Sequence, residues 1–272
     1  LRRKKMNFTK FSILLMALVF ALTMNLGAQT DVAEELMKEA HLNNFYAADD
    51  GLAEVNMTIV NSSGKERNRE FAMLRIDNEE GGVQKYYTYF HKPYDVARLT
   101  FMVHKNPFET DQRWLYVPSV DLVKRISADD KGSSFVGSDF SYEDVSGRHW
   151  SDDTHKILEE KEYNGMQVYV IESVPKSEDG VFSKKITYID KEHMLPIREE
   201  YYNGKGDLER VYSAEKIEVI EDIPTVTVRK MENVKKDQYT IVEFSSIDYN
   251  VGVTDDIFTE RYLKNPPREY IK

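Results

Sequence analysis

Cysteine is absent from all 272 residues. That excludes disulfides, thiolate metal sites and a cysteine nucleophile, and with them an acylated N-terminal cysteine as a lipid anchor. Basic residues are outnumbered, 37 Lys and Arg against 47 Asp and Glu, for a formal net charge of −10. A nucleic-acid backbone or an anionic membrane surface is therefore a poor partner. Long apolar runs are scarce: Phe11 to Leu22 is nearly uncharged but too short for a membrane span. Strand–helix alternation is missing, which argues against a parallel sheet of crossover units. No G-x-S-x-G elbow, H-E-x-x-H pair or phosphate loop occurs. The acidic pairs, such as Glu79-Glu80 and Glu199-Glu200, fall mostly at turns or strand ends and single out no catalytic couple. The chain is read as a non-enzyme that needs no cofactor.

What is present begins with a leader. Arg2, Arg3, Lys4, Lys5 and Lys10 precede the apolar run, and Leu26-Gly27-Ala28 supplies small residues for cleavage. Residues 1–28 read as a secretory signal peptide, and 29–272 as one domain. Without the leader's five cations and no anions, the net charge of −10 becomes −15. Export without a lipid anchor points to a periplasm or to secretion.

Asp31 to Ala48 has helical spacing, with Leu36, Ala40 and Phe45 near one face and Asp31 as a cap. The period then changes to two. Ala53, Val55, Met57 and Ile59 alternate with polar residues, the pattern of a half-buried strand. Short strands recur at hairpin spacing to Tyr249, and Asn164-Gly165 is the clearest hairpin turn. The spacing predicts an antiparallel sheet of roughly eleven strands and at most thirteen. The few helices must cover whatever face the sheet cannot leave in water.

The stretch Phe135 to Val145 combines turn residues (Gly137, Ser138, Asp139) with a capping box, Ser141 to Asp144, and with apolar Phe135, Phe140, Tyr142 and Val145. It reads as a plug in the core and as part of the wall or gate of an apolar cavity. Phe101, Trp114, Tyr116, Phe135, Phe140 and Tyr142 are the candidate cavity or rim residues. His149 and His155 flank Asp152 and Asp153, but the spacing matches no metal-ligand motif, so no metal is assigned. A lipid cavity suits the aromatic load. At about 0.8 kcal/mol per methylene, exposing a chain of roughly sixteen carbons to water costs on the order of 12 kcal/mol.

The blocks Trp114-Leu-Tyr-Val-Pro118, Lys124-Arg-Ile126 and Ser134-Phe-Val-Gly-Ser-Asp-Phe-Ser-Tyr-Glu-Asp-Val145 resemble the bacterial outer membrane lipoprotein-sorting protein family. Tyr188-Ile-Asp190, Leu195-Pro196, Glu200-Tyr-Tyr202 and Ile257-Phe-Thr259 resemble its later blocks. That family is related in fold to the lipoprotein carriers LolA and LolB. The resemblance implies an incomplete antiparallel β-barrel with helices as a lid over an apolar cavity. It implies a periplasmic carrier of lipoprotein acyl chains or another lipid. It also implies, as partners, a resistance–nodulation–division (RND) superfamily transporter, which the chain would serve as an adaptor, or an outer-membrane acceptor. Arg98 and Arg125 become candidates for headgroup contact or for latching the lid.

Overall fold

The structure is a computed structural model and describes residues 31–77, 79–177 and 181–271. The expected signal peptide lies outside the described residues. The period-two segments form thirteen strands, the upper end of the expected number. They are β1 (Asp50–Val60), β2 (Glu66–Asp77), β3 (Gln84–Lys92), β4 (Thr100–Lys105), β5 (Gln112–Val117), β6 (Leu122–Ile126) and β7 (Asp153–Tyr163), then β8 (Met166–Pro175), β9 (Lys184–Asp190), β10 (Leu195–Tyr202), β11 (Leu208–Ile220), β12 (Ile223–Asn233) and β13 (Gln238–Tyr249). Three helices accompany them: α1 over residues 31–45, α2 (Tyr142–Ser146) and α3 (Glu260–Lys264).

All thirteen strands belong to one antiparallel sheet. Every pair of sequence neighbours except β6 and β7 is paired, and β1 also pairs with β13, with Gly51 opposite Tyr249. β6 and β7 do not pair and are the two free edges. The sheet is thus an incomplete barrel with its seam between β6 and β7. Several ladders carry register shifts, at Glu54/Val55 and Ile157/Glu159 among others. Such bulges bend a strand and raise its twist, which lets a sheet this wide curl. At the β7–β8 hairpin Asn164 and Gly165 both have positive φ, as the Asn-Gly signal requires.

We call the face that carries α1 and residues 127–152 the inner face. Val55, Met57, Phe71, Phe90 and Phe101 are buried on it. The outer face of β2 to β5 is buried too. There Leu74, Tyr87, Met102 and Trp114 pack against Val253, Ile257, Phe258 and Leu263 of the C-terminal segment. This second cover explains the aromatic run in β3: Tyr86 and Phe90 point inward and Tyr87 outward. The C-terminal segment includes the short helix α3.

A candidate lipid-binding site on the inner face

The inner face is built of two unlike halves. β1 to β5 present aliphatic and aromatic side chains, and β7 to β12 present His155, Lys185, Glu199, Tyr201, Tyr212 and Arg229. Residues 127–152, the link between the free edges, lie over both. Its middle is the loop read from the sequence as a plug. Phe135 N–H donates to Phe140 O at 2.7 Å, closing a turn in which Val136 and Gly137 both have positive φ. A β-branched residue there costs on the order of 1–3 kcal/mol. The turn is held by what surrounds it. The Phe135 ring lies 5.4 Å from Phe101 and 6.4 Å from Phe71, and Tyr142 lies 5.1 Å from Phe101.

Polar contacts fix the same loop to the sheet. The buried Asp139 carboxylate accepts from Thr240 Oγ1 at 2.8 Å and from Gln238 Nε2, and Thr240 Oγ1 accepts from Asp139 N–H at 3.0 Å. The capping box of α2 is complete: Ser141 Oγ accepts from Asp144 N–H, and the Asp144 carboxylate accepts from Ser141 N–H. That carboxylate also pairs with Arg210 of β11. One loop therefore joins β2 to β4 by rings and β11 to β13 by hydrogen bonds.

Two voids remain beneath α1. The first, about 80 Å³, lies against the polar half, between α1 and residues that include His149, Lys185, Tyr201 and Tyr212. The second, about 120 Å³, is mainly apolar, with Ala53, Met73, Val145, Val226, Phe244 and Ile247 in its wall. Asn44, Phe45 and Arg229 border both. The Phe45 ring rests on Gly147, where a Cβ would stand 2.6 Å from it. Only glycine gives that approach, and Gly147 also has φ +77.

The carboxylates around the first void are already paired. Lys185 bonds Glu199 at 2.7 Å, Arg148 bonds Asp153 at 2.9 Å, and Lys131 bonds Glu143 at 2.9 Å. Burial works to strip the Lys185 ammonium of its charge, but Glu199 outweighs it and holds the pKa above the ordinary lysine value. Lys105 has no carboxylate within ion-pair distance among the described residues. Its ammonium donates to Ser146 O at 3.0 Å, and burial brings its pKa down to about 8. Burial, with Lys105 nearby, likewise holds His149 down to about 4 and His41 well below the usual range, so both rings are neutral.

α1 covers these voids. Met37 and Ala40 pack on Ile171 and Ile189. Two side chains hold its C-terminal end: Arg75 of β2 donates to Phe45 O at 3.0 Å, to Ala48 O at 2.7 Å and to Ala47 O, and Gln84 Nε2 donates to Phe45 O at 2.6 Å. A cation at a helix C-terminus also meets the negative end of the helix dipole. Arg75 pairs with Asp77 at 3.2 Å, and burial, opposed by Arg75, raises Asp77 to about 6.

Of the residues singled out in the sequence, Phe101, Phe135, Phe140 and Tyr142 come together on the inner face, and Phe140 borders the first void. Trp114 and Tyr116 do not join them. Trp114 is opposite Met102 and Leu115 opposite Phe101, so Trp114 and Tyr116 point outward beneath the C-terminal segment. Arg98 is exposed near Lys264 and Arg268, and Arg125 lies 5.2 Å over the outward Trp114 ring. Neither reaches the lid; that place is taken by Arg75. Sequence reasoning missed Arg75 and the polar half, and placed Phe45 only on the apolar face of the helix. Arg75 sat in an alternating strand like any other polar residue, and only the tertiary arrangement brings the end of α1 to it.

A family model described as “Uncharacterized protein”-like matches residues 82–265. No curated protein matches in sequence. Among solved structures, a protein described as an outer membrane lipoprotein-sorting domain, from Vibrio parahaemolyticus, superposes with a TM-score of 0.81 at 26% identity, covering 86% of this chain and 99% of the other. A DUF1329 family protein from Desulfovibrio piger gives 0.80 at 26% identity, with the same coverage of 86% and 99%. A LolA superfamily protein from Nitrosomonas europaea gives 0.67 at 18% identity over 85% of this chain and 98% of its own; at that identity the likeness is one of fold.

Proposed function

Since the chain belongs to the outer membrane lipoprotein-sorting protein family of LolA-like fold, we propose that it is a periplasmic carrier that takes an acyl chain beneath α1. The observation that supports this reading best is the pair of voids under one helix, with Asn44, Phe45 and Arg229 bordering both. At about 80 and 120 Å³ they are small. A pocket for a drug-sized ligand holds roughly 300–1,000 Å³. Cargo must therefore displace part of the cover. The cheapest part to move is the C-terminal end of α1 with Phe45, because it is half-buried and tied by hydrogen bonds to Arg75 and Gln84. The Phe135 loop is tied on both sides of the barrel and stays. Swinging Phe45 off Gly147 merges the two voids into one channel, apolar toward Phe244 and polar toward Lys185.

No covalent chemistry is asked of the protein. Its task is to keep a chain out of water, worth about 0.8 kcal/mol for each buried methylene. Among the described residues no helix is long and apolar enough to cross a membrane. The test is native mass spectrometry of protein purified from its host, followed by lipid extraction. Carriage predicts a fraction of molecules with an added lipid mass that extraction removes. Recovery of the bare chain alone, with no uptake when lipid vesicles are supplied, overturns it.

A further inference from the structure

Polar atoms with no hydrogen-bond partner among the described residues gather at the first void. His41 Nε2, His149 Nε2, Tyr212 Oη and Arg229 Nε are all buried and unpartnered, and all four residues border it. Tyr212 and His41 are 6% and 7% exposed. The proton positions follow from the neighbours. Ser151 N–H donates to His149 Nδ1, so the neutral ring carries its proton on Nε2. His149 Nε2–H, Tyr212 O–H and Arg229 Nε–H are then donors without acceptors. A buried donor left without an acceptor is costly, and a ligand that supplies the acceptor recovers that cost. Charge leans the same way: the carboxylates are spent on Lys185, Arg148, Lys131 and Arg210, leaving Arg229 and Lys105 over. Arg229 holds only Val226 O, at 3.4 Å, and the face of Phe244.

We propose that this void receives the carboxylate head of a single-chain amphiphile, a fatty acid, with its tail passing Phe45 into the apolar void beside Phe244. The inference rests on the carrier reading and adds the direction and chemistry of the cargo. Arg229 borders both voids, so its Nε–H stands at the junction where head becomes tail. At about 80 Å³ the void is small, which suits a compact carboxylate better than the larger headgroup of a two-chain phospholipid. The three donors come from the 147–150 turn, β11 and β12, and the unpartnered His41 Nε2 faces the same void from α1.

The experiment compares palmitate, hexadecanol and a two-chain phosphatidylethanolamine for binding to the delipidated protein by calorimetry. Palmitate is expected to bind at least about tenfold more tightly than hexadecanol, the effect of one charge-assisted hydrogen bond. Tyr212→Phe and Arg229→Met should each narrow that gap to threefold or less. Tyr212→Phe removes only a hydroxyl with no protein partner, so the fold should tolerate it, and an unchanged melting temperature confirms this. Equal binding of acid and alcohol, or a gap untouched by both variants, overturns the carboxylate site while leaving the carrier reading in place. Preference for the phospholipid overturns the single-chain head but keeps a lipid carrier. No binding of any of the three overturns both.

Discussion

Replacing Arg75 by methionine removes the side chain that spans the carbonyls of residues 45, 47 and 48. Asp77→Asn is made with it, because Asp77 would otherwise be left buried and unpaired. Hydrogen bonds from a charged donor contribute about 1.5–3 kcal/mol each, and three sharing one guanidinium are not additive. Gln84 keeps its bond to Phe45 O. A net loss of about 2–4 kcal/mol from the closed position of α1 is the reasonable range. It raises the open population about 30- to 700-fold. Hydrogen exchange reads this directly. The amides of residues 31–48 should lose protection by that factor, while the β2 and β3 amides exchange as before. If residues 31–48 keep their protection, Arg75 is not the latch, and the proposed route past Phe45 loses its support. Loss of protection spread evenly over the sheet would mean a general destabilisation instead, and would equally refute a local lid.

Other outcomes follow from the same geometry. Gly147→Ala should cost about 2–4 kcal/mol by denaturant unfolding, from a positive φ and a Cβ driven into Phe45. Asp139→Ala leaves the buried Thr240 hydroxyl without its acceptor and should cost about 2–4 kcal/mol by the same measurement. Trp114→Phe should lower the melting temperature, since it loses outer-face packing and the bond to Glu260, yet leave lipid uptake unchanged. His149 has its folded pKa lowered to about 4, so the stability it contributes is full above pH 6.5 and is lost as pH falls from 6.5 through 4. Discounted for the ring's partial exposure, that is about 1–2 kcal/mol. Asp77, raised to about 6, acts with the opposite sign, its contribution fading as pH rises through 6. His149→Gln should flatten the acid side of a melting-temperature profile; an unchanged profile would count against the assignment.

Much of the architecture was legible because local periodicity and burial agree. The alternation from Ala53 to Ile59, the Asn164-Gly165 turn and the Ser141–Asp144 capping box each act within a few residues, and each appears where its pattern places it. The candidate site was less legible. Phe101 and Trp114 look alike as buried aromatics, yet the β4–β5 register sends them to opposite faces, and register is a property of the pair of strands. The outer cover of Val253, Phe258 and Leu263 supplied the apolar environment that a cavity would otherwise have explained. Likewise Lys185 and Tyr212 read as ordinary strand residues, His155 is weighed only against a metal-ligand spacing, and Glu199 only as one of the acidic pairs. Only the closing of β7 to β12 around them makes a buried polar wall.

The most direct measurement is photo-crosslinking with a fatty acid carrying a diazirine in its chain, followed by peptide mapping. Carriage beneath α1 predicts labels on Phe45, Val226, Phe244 and Ile247. Labels confined to the outer-face residues Trp114, Tyr116 and Phe258, or no labelling above that of unfolded protein, would contradict it.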